Sequence, residues 1–203
     1  MSKLIAAQKG GIMLLMTLIF LAGCGTTSGL RVSDTKLLPN LSRYSNIVIL
    51  SFTDSTNKKI KDEKEKLAYE DAVLMAGRNF ADRITGEIRK MGIFAEVSRG
   101  LKPAAEETVV ISGVITRYEE GSAAMRFWIG MGAGSSYFDA DVKFSDNISQ
   151  EELGIVKVDK NSWWLGGGLA SGQTVEAFMQ VAAEKIAKEL VKAKQFSEIK
   201  AKE

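Results

Sequence analysis

The sequence predicts a mixed α/β (α+β) domain in which a β-α-β unit comes first and antiparallel strands and a closing helix follow. A short apolar strand, a long amphipathic helix and a second short strand occur in that order, which is typical of a parallel crossover unit. Segments with apolar residues at every second position come next, as expected of antiparallel strands with one wet face. We therefore expect a mixed sheet of about five strands with a C-terminal helix packed on it.

The first strand is predicted over residues 46–52, because Ile47, Val48, Ile49 and Leu50 form an uninterrupted apolar run. Such a strand is covered on both faces and central in its sheet. Residues 54–57 are turn formers, and the charged stretch 58–66 leads into a helix that Gly92 ends with a left-handed cap. The apolar positions of that helix include Leu67, Leu74, Phe80, Ile84, Ile88 and Met91. The last four keep spacings of three and four and so line one face.

Four further elements follow along the chain. Residues 93–99 are predicted to form a second strand, parallel to the first. Residues 108–118 form a third, residues 136–145 a fourth and residues 153–159 a fifth strand in antiparallel pairing. The fourth strand alternates most clearly, with Phe138, Ala140, Val142 and Phe144 opposite Tyr137, Asp139, Asp141 and Lys143. The closing helix is expected over residues 173–196, with inward positions Val175, Met179, Ala182, Ile186, Leu190 and Ala193.

The N-terminus has the pattern of an export signal. Lys3 and Lys9 precede an apolar run at 12–22 that is shorter than the roughly 20 residues of a membrane-spanning helix. The residues Leu21, Ala22, Gly23 and Cys24 then resemble the lipobox that a lipoprotein signal peptidase recognises. We expect cleavage before Cys24 and lipidation of its thiol. The alternative is a buried free cysteine that happens to end an apolar stretch.

This interpretation divides the chain into a signal peptide (1–23), a flexible Gly, Ser and Thr rich tether (24–45), one globular domain (46–197) and a tail (198–203). Without residues 1–23 the chain has 25 basic and 25 acidic side chains. A neutral domain has no electrostatic basis for binding nucleic acid, so the lipid is expected to hold it to a membrane. The residue after the cysteine is Gly25, whereas an inner-membrane retention signal would have Asp there. This resembles the pattern of lipoproteins that are sorted to the outer membrane, so we expect the protein at its periplasmic face.

Composition excludes most catalytic centres. The sequence has no histidine and one cysteine, so the usual triads and zinc sites are ruled out, and no cofactor or metal is expected. Asp139 and Asp141 share one strand face and could act as a carboxylate pair, but a solvated face explains them better. The glycines Gly130, Gly132 and Gly134 lead into a strand and lack the Lys-Ser/Thr of a phosphate loop.

Several segments together resemble a known family. The runs IVILSFTDS (47–55), FADRITGEI (80–88) and GIFAEV (92–97) resemble envelope lipoproteins with an anticodon-binding-like fold, a group that includes the curli secretion pore and activators of penicillin-binding proteins. The run RFWIGMGAGS (126–135), followed by a strand ending in Asp146, resembles the domain-of-unknown-function family 4410. That resemblance implies no established activity. The turn DNIS (146–149) departs from the family pattern because it lacks a glycine.

Two apolar segments outside the predicted elements are candidate binding sites. One contains Phe127 and Trp128, and the other contains Trp163 and Trp164. Tryptophan is enriched at binding hot spots, so we expect the two segments to lie together and bind another envelope protein or a second copy. The alternative is that they cap the open end of the sheet.

The expected function is a non-enzymatic binding or assembly module of the envelope. The alternative is a hydrolase that attacks peptidoglycan or another glycan through acidic residues. A binding module should expose an apolar patch, whereas an enzyme should gather carboxylates in a cleft.

Overall fold

The computed structural model describes residues 41–100, 107–121, 136–161 and 174–200. The elements run β1 (Asn46–Ile49), β2 (Thr53–Asp54), α1 (Glu63–Met91), β3 (Glu96–Arg99), β4 (Thr108–Glu119), β5 (Tyr137–Asp146), β6 (Glu152–Asn161) and α2 (Val175–Lys200). The predicted mixed α/β fold with a C-terminal helix is therefore confirmed, with six strands in place of about five because Thr53 and Asp54, which follow the predicted first strand, form β2.

The six strands form one mixed sheet in the order β3-β1-β4-β5-β6. β1 pairs in parallel with both β3 and β4, which confirms the β-α-β start and the interior position of the first strand. β5 pairs antiparallel with β4 and β6, as the alternating sequences predicted. β2 continues along β4 beyond the point where β1 ends.

Helix α1 ends at Gly92, as predicted, and begins after Asp62, within the charged stretch 58–66. The Asp62 carboxylate accepts a 2.9 Å hydrogen bond from the backbone N–H of Glu65, and Gly92 takes the left-handed conformation at φ 63°. Phe80, Ile84 and Ile88 are fully buried against the sheet, as their spacing predicted. The earlier apolar positions Leu67 and Leu74 are exposed.

The first strand is shorter than predicted because Phe52 turns into the core. Its backbone N–H donates to the Gly77 carbonyl at 3.3 Å, and its ring lies 4.9 Å from that of Phe80. A Cβ at Gly77 would overlap the Phe52 carbonyl oxygen, and a Cβ at Gly113 would overlap the Phe52 ring. These two glycines therefore provide the space that lets the chain leave β1 at Leu50.

Helix α2 packs on β5, β6 and α1. Five of its six predicted inward residues are buried, and Ala193 is partly buried. The helix continues to Lys200, past the predicted end at 196. Neither described helix has a stretch long and apolar enough to span a bilayer.

Candidate functional site

The two ends of the sheet differ in the residues and elements that lie beside them. We call the end marked by Asn46, Thr108 and Asp146 the tether end, because the chain enters the domain there. The opposite end is the distal end, where Glu119 pairs with Tyr137 and Tyr137 pairs with Asn161. The N-terminal half of α1 lies at the distal end, since the Tyr69 and Tyr118 rings are 6.2 Å apart.

At the tether end, a polar cluster fastens the segment before β1 to the turn after β5. The Tyr44 hydroxyl donates a 2.8 Å hydrogen bond to Asp146 Oδ2, and Arg43 Nη2 lies 3.3 Å from the same oxygen. The backbone N–H groups of Ile148 and Ser149 donate to Oδ1 at 2.8 Å each. These donors, the Ser149 backbone N–H foremost, lower the pKa of the Asp146 carboxyl to about 2.

The same carboxylate explains how this turn forms without a glycine. It satisfies two backbone N–H groups inside the turn, and Gln150 takes the left-handed conformation at φ 59°. Leu41 and Tyr44 are buried in the core, and Lys194 Nζ donates to the Tyr44 carbonyl at 2.6 Å. Packing against the domain thus begins at least five residues before β1.

The most exposed apolar feature of the described chain is a row on α1. Leu67, Leu74 and Met75 are 55%, 46% and 51% exposed, and Asp71 and Arg78 lie between and beside them. Each residue of a helix advances by about 100°, so these five side chains cover about 100° of the helix surface and about 16 Å of its length. We call them the α1 outer stripe.

The stripe is exposed because the edge strand beside α1 is short. β3 ends at Arg99, whose Nε donates to Asp82 Oδ1 at 2.7 Å and whose Nη1 donates to the Ile49 carbonyl at 2.5 Å. These contacts fix the end of β3 at the level of Asp82. From Asp82, α1 extends about two helical turns back to Leu74 and about four back to Leu67, and in the described part of the chain no strand or helix covers its outer side there.

A polar cavity of about 220 Å³ lies between α1 and the loop after β2. Two of its lining residues are the carboxylates Asp54 and Glu70, and two are Lys58 and Lys66. Asp54 Oδ1 accepts a 2.7 Å hydrogen bond from the backbone two residues on, and Glu70 lies 3.9 Å from Lys66 Nζ. Lys58 Nζ sits 4.6 Å above the ring of Tyr69, whose pKa is raised by burial. Both acids thus have local partners.

The other carboxylates considered from the sequence do not form a site. Asp139 and Asp141 lie on the face of β5 opposite the buried Phe138 and Ala140, as the alternation predicted. Within the described ranges no group of three or more acidic or cysteine side chains is placed to hold a metal ion.

The lipidation and binding residues predicted from sequence lie outside the described residues. These are Leu21, Ala22, Gly23, Cys24, Phe127, Trp128, Trp163 and Trp164. The strand ends that flank the two aromatic segments are described, and they meet at the distal end: Glu119 pairs with Tyr137, which pairs with Asn161. That the segments themselves bind a partner stays a prediction.

The family profile of the domain of unknown function DUF4410 matches residues 47–167. The chain belongs to this family. The match begins in β1 and runs past β6, so it spans the whole sheet and α1, including the outer stripe. The proposed relation to the curli secretion pore and to activators of penicillin-binding proteins stays a prediction. None of the curated proteins matches this sequence.

Solved structures with a similar fold include PelC from Paraburkholderia phytofirmans, described as a dodecamer. It is 13% identical, covers 77% of this chain and 94% of its own, and has a TM-score of 0.52. A protein of family DUF330 from Xanthomonas campestris is 11% identical, covers 84% of this chain and 96% of its own, and has a TM-score of 0.45. The PelC likeness establishes the shared fold.

The outer stripe was not singled out from the sequence, although a signal for it was present. Leu74 precedes Phe80 by six residues, which turns it about 120° away from the buried face. Leu67 lies seven residues before Leu74 and so shares its direction. Helical phase therefore distinguishes these leucines from the core residues, but it does not tell whether another element covers them.

Proposed function

We propose that this protein is a lipid-anchored module of the cell envelope, without enzymatic activity, that assembles with further copies of itself at the periplasmic face of the outer membrane. The anchor is argued from the lipobox-like residues before Cys24. Assembly is argued from the exposed apolar row on α1. The dodecameric state of PelC, which shares the fold, supports it.

The α1 outer stripe carries the argument for assembly. Apolar side chains that are exposed together on one side of a helix mark contact sites more often than scattered single ones do. Three of the four large apolar side chains that are exposed in the described residues lie on this stripe, and the fourth, Ile148, is in a turn at the tether end. The arrangement meets the criterion set for a binding module.

The chain enters the domain at one end of the sheet and the stripe lies toward the other, an arrangement that suits a module anchored through its N-terminus. The segment that leads from Cys24 enters at the tether end, where Tyr44 and Asp146 fasten it. α1 begins at the distal end and returns toward the tether end, where the backbone N–H of Ala95 donates to the Ser45 carbonyl. The stripe lies on the first half of α1, toward the end of the domain opposite the point where the chain enters.

The anchor is tested by labelling cells with a palmitate analogue. The wild-type chain should incorporate the label and Cys24→Ser should not, because this is the only cysteine in the sequence. Cys24→Ser should also accumulate as an unprocessed precursor. Label that persists in Cys24→Ser would disprove lipidation at this residue.

Assembly is tested by sedimentation of the full-length chain extracted in mild detergent. We expect species larger than a monomer whose share rises with protein concentration. A monomer over the whole accessible concentration range would disprove self-assembly.

Trp163→Ala with Trp164→Ala tests the aromatic segments in the same assay: loss of larger species with unchanged melting supports a contact role, and a marked loss of thermal stability contradicts it.

The hydrolase alternative has its own measurement. Purified chain is incubated with peptidoglycan, and released fragments are separated by chromatography. We expect no release above a boiled control. Release that disappears in Asp54→Asn or Glu70→Gln would overturn the non-enzymatic assignment and place the chemistry in the cavity beside α1.

A further inference from the structure

The part of the α1 outer stripe from Asp71 to Arg78 is self-complementary when two copies of the helix run antiparallel. Asp71 and Arg78 lie seven residues apart on the same side of α1, with Leu74 and Met75 midway between them. An antiparallel copy centred between Leu74 and Met75 brings each residue opposite its mirror position. Asp71 then faces Arg78 of the second copy, and Leu74 faces Met75.

Both charges are available for this contact. Asp71 and Arg78 are exposed, and neither forms an ion pair with another residue of the described ranges. Other charged residues of α1 are engaged within the chain: Asp82 with Arg99, and Lys66 with Glu63 and Glu70. Asp71 and Arg78, which flank the exposed apolar pair, are thus left without an ion-pair partner in the described ranges.

We propose that a second copy of this chain docks antiparallel on the α1 outer stripe, with Asp71 of each copy against Arg78 of the other. The inference rests on the proposed self-assembly and adds the surface and its geometry. Opposite charges at both ends of a small apolar contact fix its register, because sliding one helix by a turn separates both Asp71–Arg78 pairs.

The geometry agrees with anchoring of both copies to one membrane. A two-fold axis along the membrane normal keeps both copies at the same height. The C-terminal ends of the two α1 helices, which adjoin the tether ends, then lie roughly 50 Å apart on opposite sides of the axis, from 1.5 Å of rise per residue.

The contact is small, which sets the expected affinity. The apolar contact consists of Leu74 and Met75 of each copy, because Leu67 lies opposite the exposed Asp82 of the second copy. Two apolar side chains per copy bury less than the interfaces of stable soluble complexes, so the pair alone is weak in solution. Confinement to one membrane raises the effective concentration of the second copy. A two-fold contact uses the same surface on both copies and therefore forms a dimer, so any larger assembly needs a second surface.

The test is a charge exchange measured by sedimentation of the full-length chain in detergent. Asp71→Arg places two arginines together at both symmetric positions and should weaken association by about tenfold. Arg78→Asp should weaken it similarly. The double variant with both changes restores opposite charges and should return association to within about threefold of the wild type. Leu74→Asp should shift the chain toward smaller species, and adding Arg78→Asp should not restore association.

A crosslinking experiment checks the register independently. Leu74→Cys should give dimers with a short bifunctional thiol reagent, in a chain whose sole other cysteine is Cys24. Asn79→Cys is the matched control, because it is exposed on the same helix about 140° away from Leu74. Equal crosslinking at both positions would overturn the proposed register.

The outcomes separate this inference from the proposed function. A monomeric wild type removes both. An assembled wild type whose size is unchanged in Asp71→Arg and Leu74→Asp leaves self-assembly standing and disproves this surface. Weakening by Asp71→Arg that Arg78→Asp fails to rescue disproves the antiparallel two-fold arrangement.

Discussion

Both halves of α1 contain apolar residues, but their surroundings are opposite. The C-terminal half buries Phe80, Ile84 and Ile88 against the sheet and contacts α2 through Glu87, whose Oε1 accepts a 2.8 Å hydrogen bond from Gln180 Nε2. The N-terminal half buries residues on one side only, and its outer side presents leucine and methionine to solvent. The difference arises from neighbouring elements, because β3 stops at Arg99 and α2 begins beside the later half.

An apolar residue on an amphipathic helix is therefore a core residue only where another element packs against it. Leu74 and Ile84 are both apolar helix residues, yet one is 46% exposed and the other is buried completely. The hydrophobic free energy is proportional to the area removed from water, so the two residues should respond very differently to substitution.

The largest expected effect is in the buried half. Phe80→Ala should lower the free energy of unfolding by about 3–5 kcal/mol, because the ring is fully buried between Phe52 and Phe138, with centroids 4.9 and 5.0 Å away. Leu67→Ala is the control and should change it by less than about 0.5 kcal/mol. Denaturant unfolding measures both values. Similar losses in the two variants would mean that Leu67 is covered.

A second test uses two glycines of the same helix. Gly77→Ala should destabilise by about 1–3 kcal/mol, because its Cβ would overlap the Phe52 carbonyl oxygen. Gly86→Ala has no atom within 4 Å of the added Cβ and should stabilise by about 0.5–1 kcal/mol. The direction of each stability change is measured by thermal melting. A stable Gly77→Ala would show that Phe52 does not pack closely on α1.

A smaller effect is expected from the contact between the helices. Hydrogen bonds from Lys90 and Gln180 lower the pKa of the Glu87 carboxyl below its ordinary 4.5. Its ionised form is therefore stabilised by folding, fully above the ordinary pKa, and that stabilisation is lost as pH falls through the lowered pKa of the folded chain. Glu87→Gln should cost about 1 kcal/mol at pH 7.

The same variant should remove part of the loss of stability on acidification. Unfolding at a series of pH values from 7 to about 3 measures this difference. Glu70→Gln, in the exposed half, is the control at pH 7 and should change the free energy of unfolding by less than about 0.5 kcal/mol. A Glu87→Gln curve parallel to that of the wild type would contradict the ionised contact.

The smallest effect on the fold is expected at the stripe. Leu74→Lys should leave the free energy of unfolding of the dissociated chain within about 0.5 kcal/mol of the wild type. Association stabilises the folded state by mass action, so the wild-type melting temperature should rise with protein concentration, and that of Leu74→Lys should rise less. Melting at several concentrations makes the comparison. Identical slopes would show that Leu74 takes no part in assembly.

The sequence by itself determined the elements and their inward faces. Gly92 marks the C-terminal end of α1, and the alternation at 137–146 places Phe138 and Phe144 in the core. These signals depend on residues a few positions apart, and strand and helix periods are the same in every fold. The parallel pairing of β1 and β3 followed from the order of elements.

Only the tertiary structure decided which apolar residues remain exposed and where the chain departs from its local pattern. β1 ends at Ile49 because Phe52 fits between Gly77 and Gly113, which are distant in sequence. Leu74 is exposed because β3, a different segment, ends too early to cover it. Such features depend on the lengths and positions of elements that pack together, and no periodicity within one segment carries that information.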